Sequence, residues 1–124
     1  MYSKMFVIFS IMVLFLLKQS SGTPHMSCKV TLAPTMNTGI GQCDVTKLHR
    51  QGNPYTCTWF QTNEISKQTK EIARKRLYNL KDHGTHFSGK CGALFSITKD
   101  VSLKYEILLL PDGLRVTAQK EVYG

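Results

Sequence analysis

Apolar and polar residues alternate with a period of two toward both ends of this chain and with a period near 3.6 between them. In the last third, Val101, Leu103, Tyr105, Ile107 and Leu109 alternate with Ser102, Lys104, Glu106 and Leu108, the pattern of a half-buried strand. Pro111-Asp112-Gly113 follows. Proline fixes φ there and Asp-Gly accommodates a reversal. Leu114, Val116, Ala118 and Val122 then carry a returning strand, with Lys120 out of step, so an antiparallel hairpin is expected. Residues 92–98 make a further strand candidate. Residues 27–33 make another, and residues 54–60 put Tyr55, Cys57 and Trp59 on one side of a third. Residues 34–41, with Pro34, Gly39 and Gly41, read as a loop, as do 85–90, and 44–53 reads as a connection.

The middle of the chain reads differently. Asn63 is a helix cap by residue type and Glu64 suits the positive helix end. Ile65, Thr69, Ile72, Ala73, Leu77 and Leu80 recur at spacings of three and four, and His83-Gly84 supplies a stop. The spacing predicts a helix of roughly 27 Å. Arg76 is a local conflict, since it falls within the apolar stripe. The predicted fold is α+β, with one long helix packed on a twisted antiparallel sheet.

Composition adds an address and a set of staples. Lys4 and the apolar run from Met5 to Leu17, followed by small residues at Ser20 and Gly22, predict a secretory signal over residues 1–22. A single domain over residues 23–124 is then expected. All 4 cysteines, Cys28, Cys43, Cys57 and Cys91, lie in that domain, and an even number in a small exported chain argues for two disulfides. Three connectivities are open. No C-x-x-C or histidine spacing points to a metal, and no cofactor motif is present: Gly39-Ile40-Gly41 lacks the strand–loop–helix setting of a dinucleotide site.

The chain carries a formal charge of +8, or about +6 without Lys4 and Lys18. On the expected helix, Lys67, Lys70, Arg74 and Lys81 fall opposite the apolar stripe. They form either a solvated outer face or a contact surface for RNA, a membrane or an acidic partner.

Tyr55-Thr56-Cys57, the helical pattern ending Leu77-Tyr78-Asn79-Leu80-Lys81-Asp82-His83-Gly84, and the hairpin around Asp112-Gly113 together resemble the small secreted fungal guanyl-specific ribonucleases. With the signal segment, the combination also resembles the ribonuclease-like secreted effectors of powdery mildew fungi. The resemblance implies a microbial ribonuclease-like fold. It also implies a cysteine near the C-terminus to bridge back to Tyr55-Thr56-Cys57, which this chain lacks. Cys57 is therefore expected to pair with Cys91, and Cys28 with Cys43.

The enzymes of that family use a glutamate or histidine base, a histidine acid and an arginine beside the phosphate. Here His86 stands in a changed segment, the arginine position falls near Lys104 or Tyr105, the acid position falls near Lys120, and Glu106 is in the wrong strand. The resemblance thus implies an effector that keeps the fold without the catalytic set. The expected function is a secreted, non-catalytic, monomeric protein that binds a host protein or, weakly, RNA. Contacts are expected at Lys67, Lys70, Arg74, Lys81, Lys104 and Lys120. An active ribonuclease and a basic cysteine-stapled antimicrobial or surface-binding protein are the alternatives.

Overall fold

A computed structural model describes residues 23–97 and 103–122; the expected signal segment lies outside them. The described chain forms nine strands: β1 His25–Ala33, β2 Thr38–Leu48, β3 Thr56–Asn63, β4 Thr69–Arg76, β5 Tyr78–Asp82, β6 Phe87–Ser96, β7 Leu103–Leu110, β8 Leu114–Thr117 and β9 Gln119–Val122. A single 3-10 turn, Pro34–Met36, joins β1 to β2. The strands make a five-stranded sheet in the order β5-β6-β2-β1-β9 and a four-stranded sheet in the order β4-β3-β7-β8. All pairings are antiparallel except β1 with β9. The architecture is all-β, and the expected α+β fold with a long helix is incorrect, as is the ribonuclease-like topology that rested on it.

The error is local and has a physical cause. Asn63 does cap a turn: its Oδ1 accepts from the backbone N–H of Ile65 at 2.9 Å and of Ser66 at 3.1 Å. The turn is a hairpin, however. The Lys67 N–H donates to the Asn63 carbonyl at 2.8 Å, the Asn63 N–H donates to the Gln68 carbonyl at 2.9 Å, and Lys67 takes a left-handed φ of 65°. The chain then returns along β3, pairing Thr69 with Thr62 and Arg76 with Thr56. Helix propensity favours residues 69–81 by only a few tenths of a kcal/mol per residue. Leaving one edge of the central strand β3 unpaired exposes buried backbone groups to losses of about 1–3 kcal/mol each, so pairing prevails. Of the apolar stripe of the expected helix, Ile72 and Ala73 on β4 and Leu77 just after it still pack against the core.

Leu77 is the single residue between β4 and β5, and the chain passes there from the four-stranded to the five-stranded sheet. Another one-residue crossing, in the same direction, occurs at Ala118, whose N–H donates to the Tyr105 carbonyl at 2.9 Å. The expected returning strand therefore splits: β8 completes the hairpin with β7, and β9 leaves to run parallel to β1. That is why Lys120 is out of step.

The inner faces of the two sheets meet in one core. Trp59, Tyr105, Ile107 and Leu109 come from the four-stranded sheet, and Val30, Val45, Leu48 and Cys91 from the other. Residues 38–41, expected as loop, are the start of β2, and its glycines face inward. A Cβ on Gly41 would lie 2.5 Å from the Trp59 ring, and one on Gly39 would lie 2.4 Å from the Phe95 ring. The two glycines make the space in which these aromatic rings sit.

Candidate functional site

The register of the strands gathers all four cysteines. β1 and β2 set Cys28 opposite Cys43, and these are bridged, which agrees with one expected pair. β2 and β6 set Cys43 opposite Cys91, and Cys57 reaches the same place from β3 in the other sheet. The expected Cys57–Cys91 bridge is not formed: both residues are thiols here, fully buried and hydrogen-bonded to each other. The Cys57 S–H donates to Cys91, which holds the Cys57 proton in place and pushes its pKa up, with burial adding to the effect. Cys91 is correspondingly lowered, first by that bond and also by the approaching Trp59 indole N–H. The indole N–H makes no well-aligned hydrogen bond. With no exposure to solvent, neither sulfur is placed to attack a substrate.

Tyr55, the other residue of the motif, holds one end of the molecule together. Its hydroxyl accepts from the His49 N–H at 3.3 Å and donates to Asp112 Oδ2 at 3.2 Å, joining the 49–55 connection to the β7–β8 turn. Its ring meets Phe87 edge-on, with centroids 5.8 Å apart. Burial raises its pKa above the ordinary 10.0. The role of Tyr55 is architectural.

The basic residues expected on one helix face do not share a face. Lys67 is in the β3–β4 turn and Lys81 is opposite Ser88 on β5. On β4, Lys70 lies opposite Gln61 and Lys75 opposite Cys57, on the side that turns toward the other sheet, whereas Arg74 lies opposite Thr58 on the outer side. Lys104 and Lys120 were expected in a cleft. Lys104 instead approaches Glu106 on the outer side of β7 at 3.8 Å, and Lys120 donates to the Leu103 carbonyl at 2.9 Å from β9. The acid–base candidates are separated too. His86 sits in the β5–β6 turn with its ring 5.0 Å from that of His49, and Glu106 is in the middle of β7 opposite Phe60 and Thr117.

Two surfaces emerge that the sequence alone does not show. The first is the outer face of the four-stranded sheet. Register aligns Arg74, Thr58, Leu108 and Arg115 in one row across β4, β3, β7 and β8. The neighbouring row is Glu71, Phe60, Glu106 and Thr117. Arg115 lies over the Phe60 ring with its guanidinium carbon 5.5 Å from the centroid, and Arg74 pairs with Glu71 at 2.7 Å. Between the two arginines, the Thr58 hydroxyl is buried without a hydrogen-bond partner, and the residue is 1% exposed. Arg115 could have been placed by counting forward from the Asp112-Gly113 turn. Arg74 could not, because its segment was read as helix.

The second surface is a groove of about 500 Å³ at the Tyr55 end. Tyr55, Leu77, Leu80 and Phe87 supply apolar walls, and Arg50 and Arg76 stand at the rim. Among the described residues no group of three or more His, Cys, Asp or Glu side chains is placed to hold a metal ion, and no helix is long and apolar enough to cross a membrane. Comparison with family models, curated proteins and solved structures finds no match to this chain.

Proposed function

We propose that this chain is an exported binding protein without catalytic activity, and that it docks an acidic protein surface against the outer face of its four-stranded sheet. This is effector-type action by contact. One observation carries the reading: Arg74 and Arg115 stand in one row across the outer face, with Glu71, Phe60 and Glu106 in the next. Carboxylates of a partner would accept from the two guanidiniums, and bonds of that charged kind are the strong ones. The separation of His86 from Glu106 supports binding over acid–base chemistry.

Single-stranded RNA is the second reading, and Phe60 favours it, because an aromatic ring on a sheet face can stack a base. Two features weigh against it. Arg115 already lies over that ring, and Glu71 and Glu106 flank Phe60 in its row, where a phosphate chain would meet them. Titration with a glutamate-rich peptide and with single-stranded RNA, at low and high salt, tests the choice. The peptide is expected to bind, with affinity that falls with salt and is lost in the Arg74→Glu/Arg115→Glu variant. Tighter RNA binding that depends on Phe60 would transfer the assignment to RNA, and binding of neither would refute the proposal.

A further inference from the structure

The groove at the Tyr55 end is built from side chains that fold energetics alone would not leave open. Leu80 is 59% exposed although it belongs to an apolar cluster with Leu77 and Phe87. Gly89 of β6 lets both leucines lie low: a Cβ there would stand 2.8 Å from Leu80 Cδ2 and 3.1 Å from Leu77 Cδ2. Tyr55 lines the groove, and its hydroxyl is held by His49 and Asp112. Wet apolar walls in a concavity of about 500 Å³ match the size and character of small-ligand sites.

The rim specifies the charge of the occupant. Arg50 is ion-paired with Asp82, so it brings no net charge. Among the described residues Arg76 has no carboxylate partner, and it lines the same groove. The opening therefore presents one uncompensated cation above an apolar floor. We infer that the groove binds a small monoanionic amphiphile, an alkyl or aryl acid whose carboxylate meets Arg76 and whose apolar body lies on Tyr55, Leu77, Leu80 and Phe87. A dianionic phosphate is a poorer fit, since only one guanidinium is uncompensated. This site is separate from the outer sheet face, and neither depends on the other.

Decanoate is the probe, with 1-decanol as its uncharged counterpart, and the readout is the methyl NMR spectrum of the full chain. Decanoate is expected to bind saturably, to shift the Leu77 and Leu80 methyl signals, and to bind about tenfold more tightly than decanol because of one charge-assisted contact. Arg76→Gln should bring the two ligands to equal affinity. Leu80→Gln should weaken both, and Arg74→Gln should affect neither. Because Arg76 and Leu80 are exposed, both variants should keep the parent methyl dispersion. If Leu80→Gln unfolds the chain, Arg76→Gln alone decides the matter. Shifts that map elsewhere, absence of saturation, or an unchanged preference for decanoate in Arg76→Gln would overturn the assignment. Decanoate binding only in the presence of anionic phospholipid vesicles would also overturn it, since the occupant would then be a membrane surface.

Discussion

Oxidation of Cys57 and Cys91 is a perturbation whose size can be worked out from the fold. The two thiols touch across the sheets, one from β3 and one from β6, and both are fully buried. A bond between them would close a loop of about 34 residues, for which the chain-entropy account gives about 3.8 kcal/mol. The existing Cys28–Cys43 bridge spans 15 residues, for which the same account gives about 3 kcal/mol. Oxidation removes the S–H donation between the thiols, a loss of about 1 kcal/mol. A net gain of about 3 kcal/mol corresponds to a rise in Tm of about 12–24 °C for a domain of this size. The sulfurs are sealed from solvent, so the bond has to form during folding. Chain unfolded and reduced should be refolded in a mixture of reduced and oxidised glutathione, in which oxidised glutathione takes the two electrons and two protons and leaves as two thiols. Digestion without reduction is expected to recover the Cys57 and Cys91 peptides linked, and the product should melt higher than the Cys57→Ala/Cys91→Ala variant. If both cysteines remain open to alkylation after such refolding, or if the linked form melts lower than the thiol form, the reasoning from their contact is wrong.

Three further outcomes are expected. Thr58→Val should raise the stability of the free protein by about 1 kcal/mol in urea unfolding, because an unpaired buried hydroxyl is removed; a loss of stability would show that the hydroxyl is satisfied. Gly41→Ala should cost about 1–3 kcal/mol by overpacking against Trp59, whereas Gly52→Ala, with nothing within 4 Å of its Cβ, should be close to neutral in the same denaturation assay. Burial raises the pKa of Tyr55 and Tyr105 in the folded state above the ordinary 10.0, so their contribution is complete below that value and is lost as pH rises past it. Stability measured from about pH 8 to about pH 11 should fall only in the upper part of that range, and the fall should be smaller in Tyr55→Phe.

Where polar and apolar residues alternated without interruption, the strands could be read from the sequence. β1, the inward set Cys57 and Trp59 of β3 with Tyr55 just before it, and the β7–β8 hairpin with its Asp112-Gly113 turn all follow from a period of two. β2 was obscured because its inward positions include Gly39 and Gly41 while Ile40 points outward, which inverts the hydrophobic pattern. The space those glycines leave is required by Trp59 and Phe95, residues distant in sequence. The segment 69–82 misled for the opposite reason. Its local signals were strong and mutually consistent with a helix, and its cap residue even makes cap-like bonds, but the unpaired edge of β3 decides the outcome from outside the segment. The candidate sites were less legible than the fold. The row from Arg74 to Arg115 joins four strands, and the groove joins β4, β5, β6 and the 49–55 connection, so both depend on register rather than on any contiguous motif.

The basic charge, which in the sequence points to one contact surface, is divided by the fold between two different effects. β4 is an edge strand, and Lys70 and Lys75 stand along it on the side facing the other sheet. Lysines in that position oppose edge-to-edge pairing with another chain, and this effect is sufficient to account for them without a ligand. Arg74 and Arg115 stand on a sheet face, flank a buried hydroxyl without a partner, and have carboxylates and an aromatic ring arranged around them. Edge protection explains none of those details. Net charge alone would assign all of these residues to the same surface, but only the second pair is set in an environment that a partner would complete.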